Sequence, residues 1–157
     1  MSEPQWLDER EQRAWRSLLT LMRELSVGME RQLTEAGLSG ADFQLLVPLS
    51  EAEDGGLRAR DLGQVVGWDR SRLSHQVRRM EERGLVSRSD CADDARGTVV
   101  RITDAGRQVV ASAAPGHVEW VRAGVFDALG DDDVDALTAI AQRVVARLQQ
   151  DQPPACT

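Results

Sequence analysis

No lysine, tyrosine or asparagine occurs in this 157-residue chain, and cysteine, histidine and phenylalanine appear twice each. The missing lysine leaves 19 arginines as the only strong cations, which reads as coding bias from a G+C-rich genome. The two cysteines, Cys91 and Cys156, lie far apart in unlike surroundings. That excludes a disulfide framework and fits a reducing, cytoplasmic compartment. Two histidines 42 positions apart and two separated cysteines form no metal-ligand pattern, so neither a metal nor a cofactor is expected. There is no glycine-rich phosphate loop and no Ser/His/Asp set on recognisable elements, which argues against an enzyme. No apolar run approaches the roughly 18 residues of a membrane span, so no membrane partner is expected. The opening MSEPQWLDER is acidic and polar, unlike a signal peptide.

What is present has the balance of one globular domain, with 41% hydrophobic and 29% charged residues. The net charge of −7 speaks against a nucleic-acid partner. Its distribution reverses the argument. Between Leu57 and Arg107 stand 11 arginines against 8 acids, and the excess of acid lies on either side. Phosphate binding needs only a local positive face.

Apolar residues at spacings of three and four predict a long helix over 7–36, through Trp15, Leu18, Met22, Leu25, Met29 and Leu33, stopped at Gly37. At about 1.5 Å per residue it would run roughly 45 Å, too long to bury its stripe within one small chain. Ser39 to Asp42 resembles a capping box, opening a helix that Pro48 should kink or shorten. A short helix over Ala59–Val66, a turn at Gly67-Trp68-Asp69 and a helix over Arg70–Arg83 follow. The period then changes to two, predicting a hairpin of 85–88 and 98–102 with a long polar tip over 89–97. Thr103 should cap a further helix, kinked at Pro115-Gly116 and stopped at Gly130, and an apolar-striped helix from Val134 to Leu148 ends the ordered chain. The chain is thus expected to divide into an N-terminal helix over 1–36, a middle lobe over 37–103, C-terminal helices over 104–150 and a flexible tail over 151–157.

Two helices joined by a tight glycine turn and followed by a hairpin are the parts of a winged helix-turn-helix. On the second helix Leu73, Val77 and Met80 form an apolar stripe. Arg70, Ser74 and Arg78 form a polar one, with Ser71 and His75 beside it. Arginine pairs with guanine in the major groove by two hydrogen bonds, and serine serves several bases. The alternative for such a stripe is a solvated helix face.

The stretches DLGQVVGWDRSRLSHQVRRMEERGLVSRSD and DDARGTVVRITDAGR resemble the multiple-antibiotic-resistance regulator (MarR) family of winged helix-turn-helix regulators. The pieces that match are Met80 through Val86, the Asp94-x-Arg96 pair, and Ile102 through Gly106. Met80 stands where leucine is usual, and Ala95 where many members carry another arginine. The resemblance implies a mainly α fold with a small β-hairpin wing (α+β), in which 37–103 form a winged helix-turn-helix DNA-binding lobe, 1–36 the N-terminal dimerisation helix and 104–150 the C-terminal dimerisation helices. It implies a homodimeric transcription regulator, a repressor released by a small-molecule effector, on double-stranded DNA with an inverted-repeat operator. The candidate contacts are Arg70, Ser71, Arg72, Ser74, His75, Arg78 and Arg79 in the major groove. Arg96, held by Asp94, would reach the adjacent minor groove; the alternative for that pair is an exposed ion pair.

An effector pocket for a small lipophilic or aromatic molecule is expected from Trp15, Arg16, Phe43, Val47, His117 and Trp120, side chains that could equally fill core or interface. Two rival functions remain. One makes Cys91 a redox switch, although Asp90, Asp93 and Asp94 around it should raise its pKa and blunt it. The other is a winged-helix protein-interaction module that does not bind DNA.

Overall fold

The computed structural model describes residues 5–91 and 94–150, and of residues 91 and 94–96 the backbone alone. Cys91, Asp94 and Arg96 as side chains, and Cys156, therefore lie outside the described residues. The elements run α1 (Glu9–Glu35), α2 (Gly40–Glu51), β1 (Gly56–Arg58), α3 (Ala59–Val66), α4 (Arg70–Glu82), β2 (Val86–Cys91), β3 (Asp94–Ile102), α5 (Asp104–Gly124) and α6 (Asp131–Gln150). They fall into two compact units, one up to His117 and one from Val118. The architecture is the expected one, mainly helical with a small antiparallel sheet.

α1 opens on a capping box in which Asp8 accepts from the Glu11 backbone and Glu11 accepts from that of Asp8. Leu33 is its one buried side chain. Leu25 and Met29 of the predicted stripe are half-buried, Met29 against the core, while its N-terminal part is uncovered: Trp15 is 51% exposed and Met22 56%, with Leu18, Leu19 and Leu21 exposed beside them. Gly37, at φ 75°, turns the chain after α1. The Ser39–Asp42 capping box then starts α2 as the spacing predicts, and α2 continues through Pro48 to Glu51.

Leu33, Leu38, Leu45, Leu46, Leu49 and Leu62 meet Leu73, Val77 and Met80 of α4 and Val86, Val100 and Ile102 of the sheet in one core. The sheet has the order β1-β3-β2, both pairs antiparallel. Two features of the sheet differ from the sequence expectation. β1 was not anticipated: Gly56-Leu57-Arg58 is too short to carry a period, and pairing with Arg101, Val100 and Val99 of β3 makes it a strand. The hairpin also extends into the segment expected as a loose tip. Ser89 pairs with Val99 and Asp90 with Thr98, and the ladder reaches Cys91 and Asp94 past an irregularity at Asp90/Cys91.

Thr103 joins the sheet to α5. Its hydroxyl donates to the Gly84 carbonyl at 2.6 Å and accepts from the Gly106 N–H at 3.1 Å. A Cβ on Gly106 would lie 2.2 Å from the Leu85 carbonyl oxygen. The start of α5 thus passes close over the Gly84-Leu85 connection between α4 and β2, which is the physical content of the Thr103-x-x-Gly106 spacing. α5 runs through Pro115 but ends at Gly124, not Gly130. Glycine weakens a helix end, and Phe126–Ala128 tighten into a 3₁₀ turn before α6. Within the second unit no side chain of α6 is buried, and Leu137, Ile140, Val144, Val145 and Leu148 are all exposed. Among the described residues no helix is long and apolar enough to cross a membrane.

Candidate nucleic-acid interface

The turn between α3 and α4 is set by backbone chemistry. Gly67 adopts φ 68° after the last residue of α3, a left-handed conformation that a Cβ disfavours. The Trp68 N–H donates to the Gly63 carbonyl at 2.9 Å. Asp69 then caps α4, its carboxylate accepting the Arg72 backbone N–H at 2.9 Å. That hydrogen bond holds the Asp69 carboxyl below its ordinary pKa, against a smaller opposing effect of burial.

α4 is divided by burial into the two faces that its spacing predicts. Leu73, Gln76, Val77 and Met80 face inward. Arg70, Ser71, Arg72, Ser74, His75, Arg78 and Arg79 are all exposed. The structure thus brings every α4 residue of the candidate set to solvent on one side. Arg70, Ser71, Ser74 and His75 line a shallow open depression there. Arg78 makes a loose contact of 3.8 Å with Glu82, both well exposed, so it is held only weakly. Arg72 lies over the Trp68 ring, 4.0 Å from its centroid.

Sequence reasoning missed the group that orients α4. Asp42 is 1% exposed, yet every oxygen is satisfied. It accepts from Gln76 Nε2 at 2.7 Å, from Arg83 at 2.7 Å and from the Ser39 N–H at 2.9 Å. Arg83 also donates to the Gly37 carbonyl at 2.8 Å. Burial alone would raise the Asp42 pKa; the hydrogen bonds from Ser39 and Arg83 outweigh it and hold the carboxyl below its ordinary value. The network ties the turn after α1, the start of α2, and the middle and C-terminal cap of α4 together. The capping-box position of Asp42 was legible, but its partners lie 34 and 41 residues away, beyond any local pattern. A second tie, also missed, joins Glu81 of α4 to Arg88 of β2 at 2.5 Å. The Arg88 guanidinium keeps the Glu81 carboxyl low, and Glu81 raises Arg88 in turn.

The expected effector residues are gathered only in part. Phe43 and His117 meet with ring centroids 4.7 Å apart at 54°. His117 Nδ1 lies 3.4 Å from the Gln32 side-chain oxygen of α1. Val47 is half-buried on α2, whereas Trp15 and Arg16 stand exposed on α1. Trp120 is half-buried in the second unit. Among the described residues no cluster of three or more His, Cys, Asp or Glu side chains could hold a metal ion.

A sequence profile for the MarR family matches residues 36–97. The chain is similar to Sco3205 of Streptomyces coelicolor, a MarR family transcriptional regulator solved in complex with DNA. Identity is 40%, 98% of this chain and 95% of that chain are covered, and the TM-score is 0.89. The uncharacterized HTH-type transcriptional regulator YdgJ of Bacillus subtilis is 32% identical over 77 residues, 49% of this chain and 46% of that protein. The match thus spans less than half of YdgJ. The transcriptional repressor MprA of Escherichia coli K12 is 21% identical over 135 residues, 86% of this chain and 76% of that protein.

Proposed function

The chain belongs to the MarR family of DNA-binding transcription regulators, which are not enzymes, and from that premise we propose that it is a homodimeric repressor whose α4 reads an inverted-repeat operator. The observation that carries the reading is the division of α4. Its inward face is locked by Leu73, Val77, Met80 and the Asp42–Gln76 hydrogen bond, while its outward face offers seven polar side chains to a groove. A rigid helix with an open donor face is what major-groove readout requires. Arg70, Ser71, Arg72, Ser74, His75, Arg78 and Arg79 are its contact residues, and Arg96, with Asp94, is the wing's contact in the minor groove. The uncovered stripes of α1 and α6 supply the dimer interface. The repressor sense is supported by the name of MprA. Release by a small aromatic or lipophilic effector rests on the Phe43–His117–Gln32 contacts, where an apolar ring and polar groups converge. The protein acts in the cytoplasm, on the chromosome.

Selection from random duplexes tests the reading. A two-fold dimer with recognition helices one helical turn apart should enrich an inverted repeat of about 16 to 20 base pairs. Enrichment of single or asymmetric half-sites would contradict it, and no enrichment at all would favour a protein-interaction module.

A further inference from the structure

Arg72 differs from the other exposed arginines of α4, Arg70, Arg78 and Arg79, in lying over an aromatic ring. Arg78 reaches Glu82, Arg83 is bound to Asp42, and Arg88 is bound to Glu81. The Arg72 guanidinium forms no hydrogen bond or ion pair among the described residues. It is nevertheless held, because its Cζ sits over the Trp68 ring, 4.0 Å from the centroid. The indole is itself fixed. Trp68 is half-buried against the core, and its backbone is anchored to Gly63 at 2.9 Å. Asp69, between them, spends its carboxylate on the helix cap, accepting the Arg72 backbone N–H.

A ring face restrains a guanidinium without consuming its donors, which all lie in the guanidinium plane. A flexible arginine must be immobilised when it binds, and that immobilisation weakens binding. Here the restraint is present before any ligand arrives, on the first turn of α4. We propose that Trp68 is a positioning residue: it pre-sets Arg72 as a fork for a pair of acceptor oxygens or nitrogens on DNA. Phosphate oxygens and the O6/N7 edge of guanine share that chemistry. This inference rests on the reading of α4 as the DNA-contacting helix. It adds a residue that does not itself touch DNA.

The test is a double-mutant cycle on operator affinity, using the full chain and the duplex enriched by selection. Trp68→Leu keeps apolar volume against the core and removes the π face; Trp68→Phe keeps a π face. Arg72→Ala should weaken operator binding about tenfold. Trp68→Leu should weaken it about three- to fivefold, and Trp68→Phe should recover most of that loss. The double variant, Trp68→Leu with Arg72→Ala, should bind no worse than Arg72→Ala alone. If the acceptors are phosphates, Arg72→Ala should also weaken binding to scrambled duplex and make the salt slope shallower by about one. If they are a guanine edge, the loss should be confined to the operator. Thermal melts check that each variant is folded. Three results would overturn the inference: wild-type affinity in folded Trp68→Leu, equal losses from Trp68→Leu with and without Arg72, or no effect of Arg72→Ala. Any of these, with wild-type protein still selecting an operator, leaves the DNA-binding reading standing. Failure of the wild-type protein to bind any duplex would remove both.

Discussion

Asp42 holds a buried negative charge between α1, α2 and α4, and its surroundings decide its effect on stability. Replacing it by Asn substitutes an amide donor where Gln76 and Arg83 both need an acceptor. Breaking a fully buried pair costs about 3–5 kcal/mol. Because the Arg83 side chain is 44% exposed and can find water, Asp42→Asn should cost about 2–3 kcal/mol instead. The pH dependence follows from the direction of its shift. Burial opposes the charge, the Ser39 and Arg83 hydrogen bonds favour it more, and the folded pKa lies below the unfolded one. The stabilisation is therefore present above the unfolded pKa, about 4, and is lost as pH falls through the folded value. Melting temperatures from neutral to acid pH should fall more steeply for the wild type than for Asp42→Asn. Parallel curves would contradict this account of the site. At this scale the sequence was legible where chemistry is local. The Ser39–Asp42 cap, the Asp69 cap and the Gly67 turn each depend on neighbours within four residues. The Asp42 network and the Glu81–Arg88 tie join elements through tertiary packing, so no spacing announces them.

Among the elements, those with a long period were legible and those made by a partner were not. α3 and α4 follow their apolar spacing, and α1 lies within the expected 7–36. β1 exists because β3 offers it a ladder, and the extension of the hairpin to Cys91 and Asp94 likewise comes from cross-strand pairing rather than composition. The exit of α5 at Gly124 depends on the local balance at Gly124-Val125, which a continuing apolar pattern disguised. α1 and α6 raise the opposite question, since their patterns are clear and, Leu33 and Met29 of α1 aside, the chain leaves most of each stripe uncovered. With Trp15, Leu18 and Met22 exposed on α1, and Ile140, Val144 and Leu148 exposed on α6, each helix presents an apolar stripe to solvent. Stripes of this size mark interaction surfaces. Sedimentation at micromolar concentration should give about twice the 17.3 kDa chain mass. A monomer would contradict the use of these helices as dimerisation arms.

The molecule as a whole is acidic, at −7, and still presents α4 with four exposed arginines, Arg70, Arg72, Arg78 and Arg79. An acidic total limits non-specific attraction to DNA, while the local face supplies contacts where the groove is met. This arrangement predicts strong discrimination between operator and unrelated duplex. Arg78 measures it most directly, because it is exposed and its 3.8 Å contact with Glu82 contributes little to folding. Fluorescence anisotropy of wild type and Arg78→Ala should be recorded on operator and scrambled duplexes across a salt series. If the outward face of α4 reads bases, Arg78→Ala loses about 1–3 kcal/mol on the operator and little on the scrambled duplex, while wild-type affinity falls steeply with salt. Unchanged operator affinity in folded, dimeric Arg78→Ala, or binding that ignores salt and sequence alike, would contradict it.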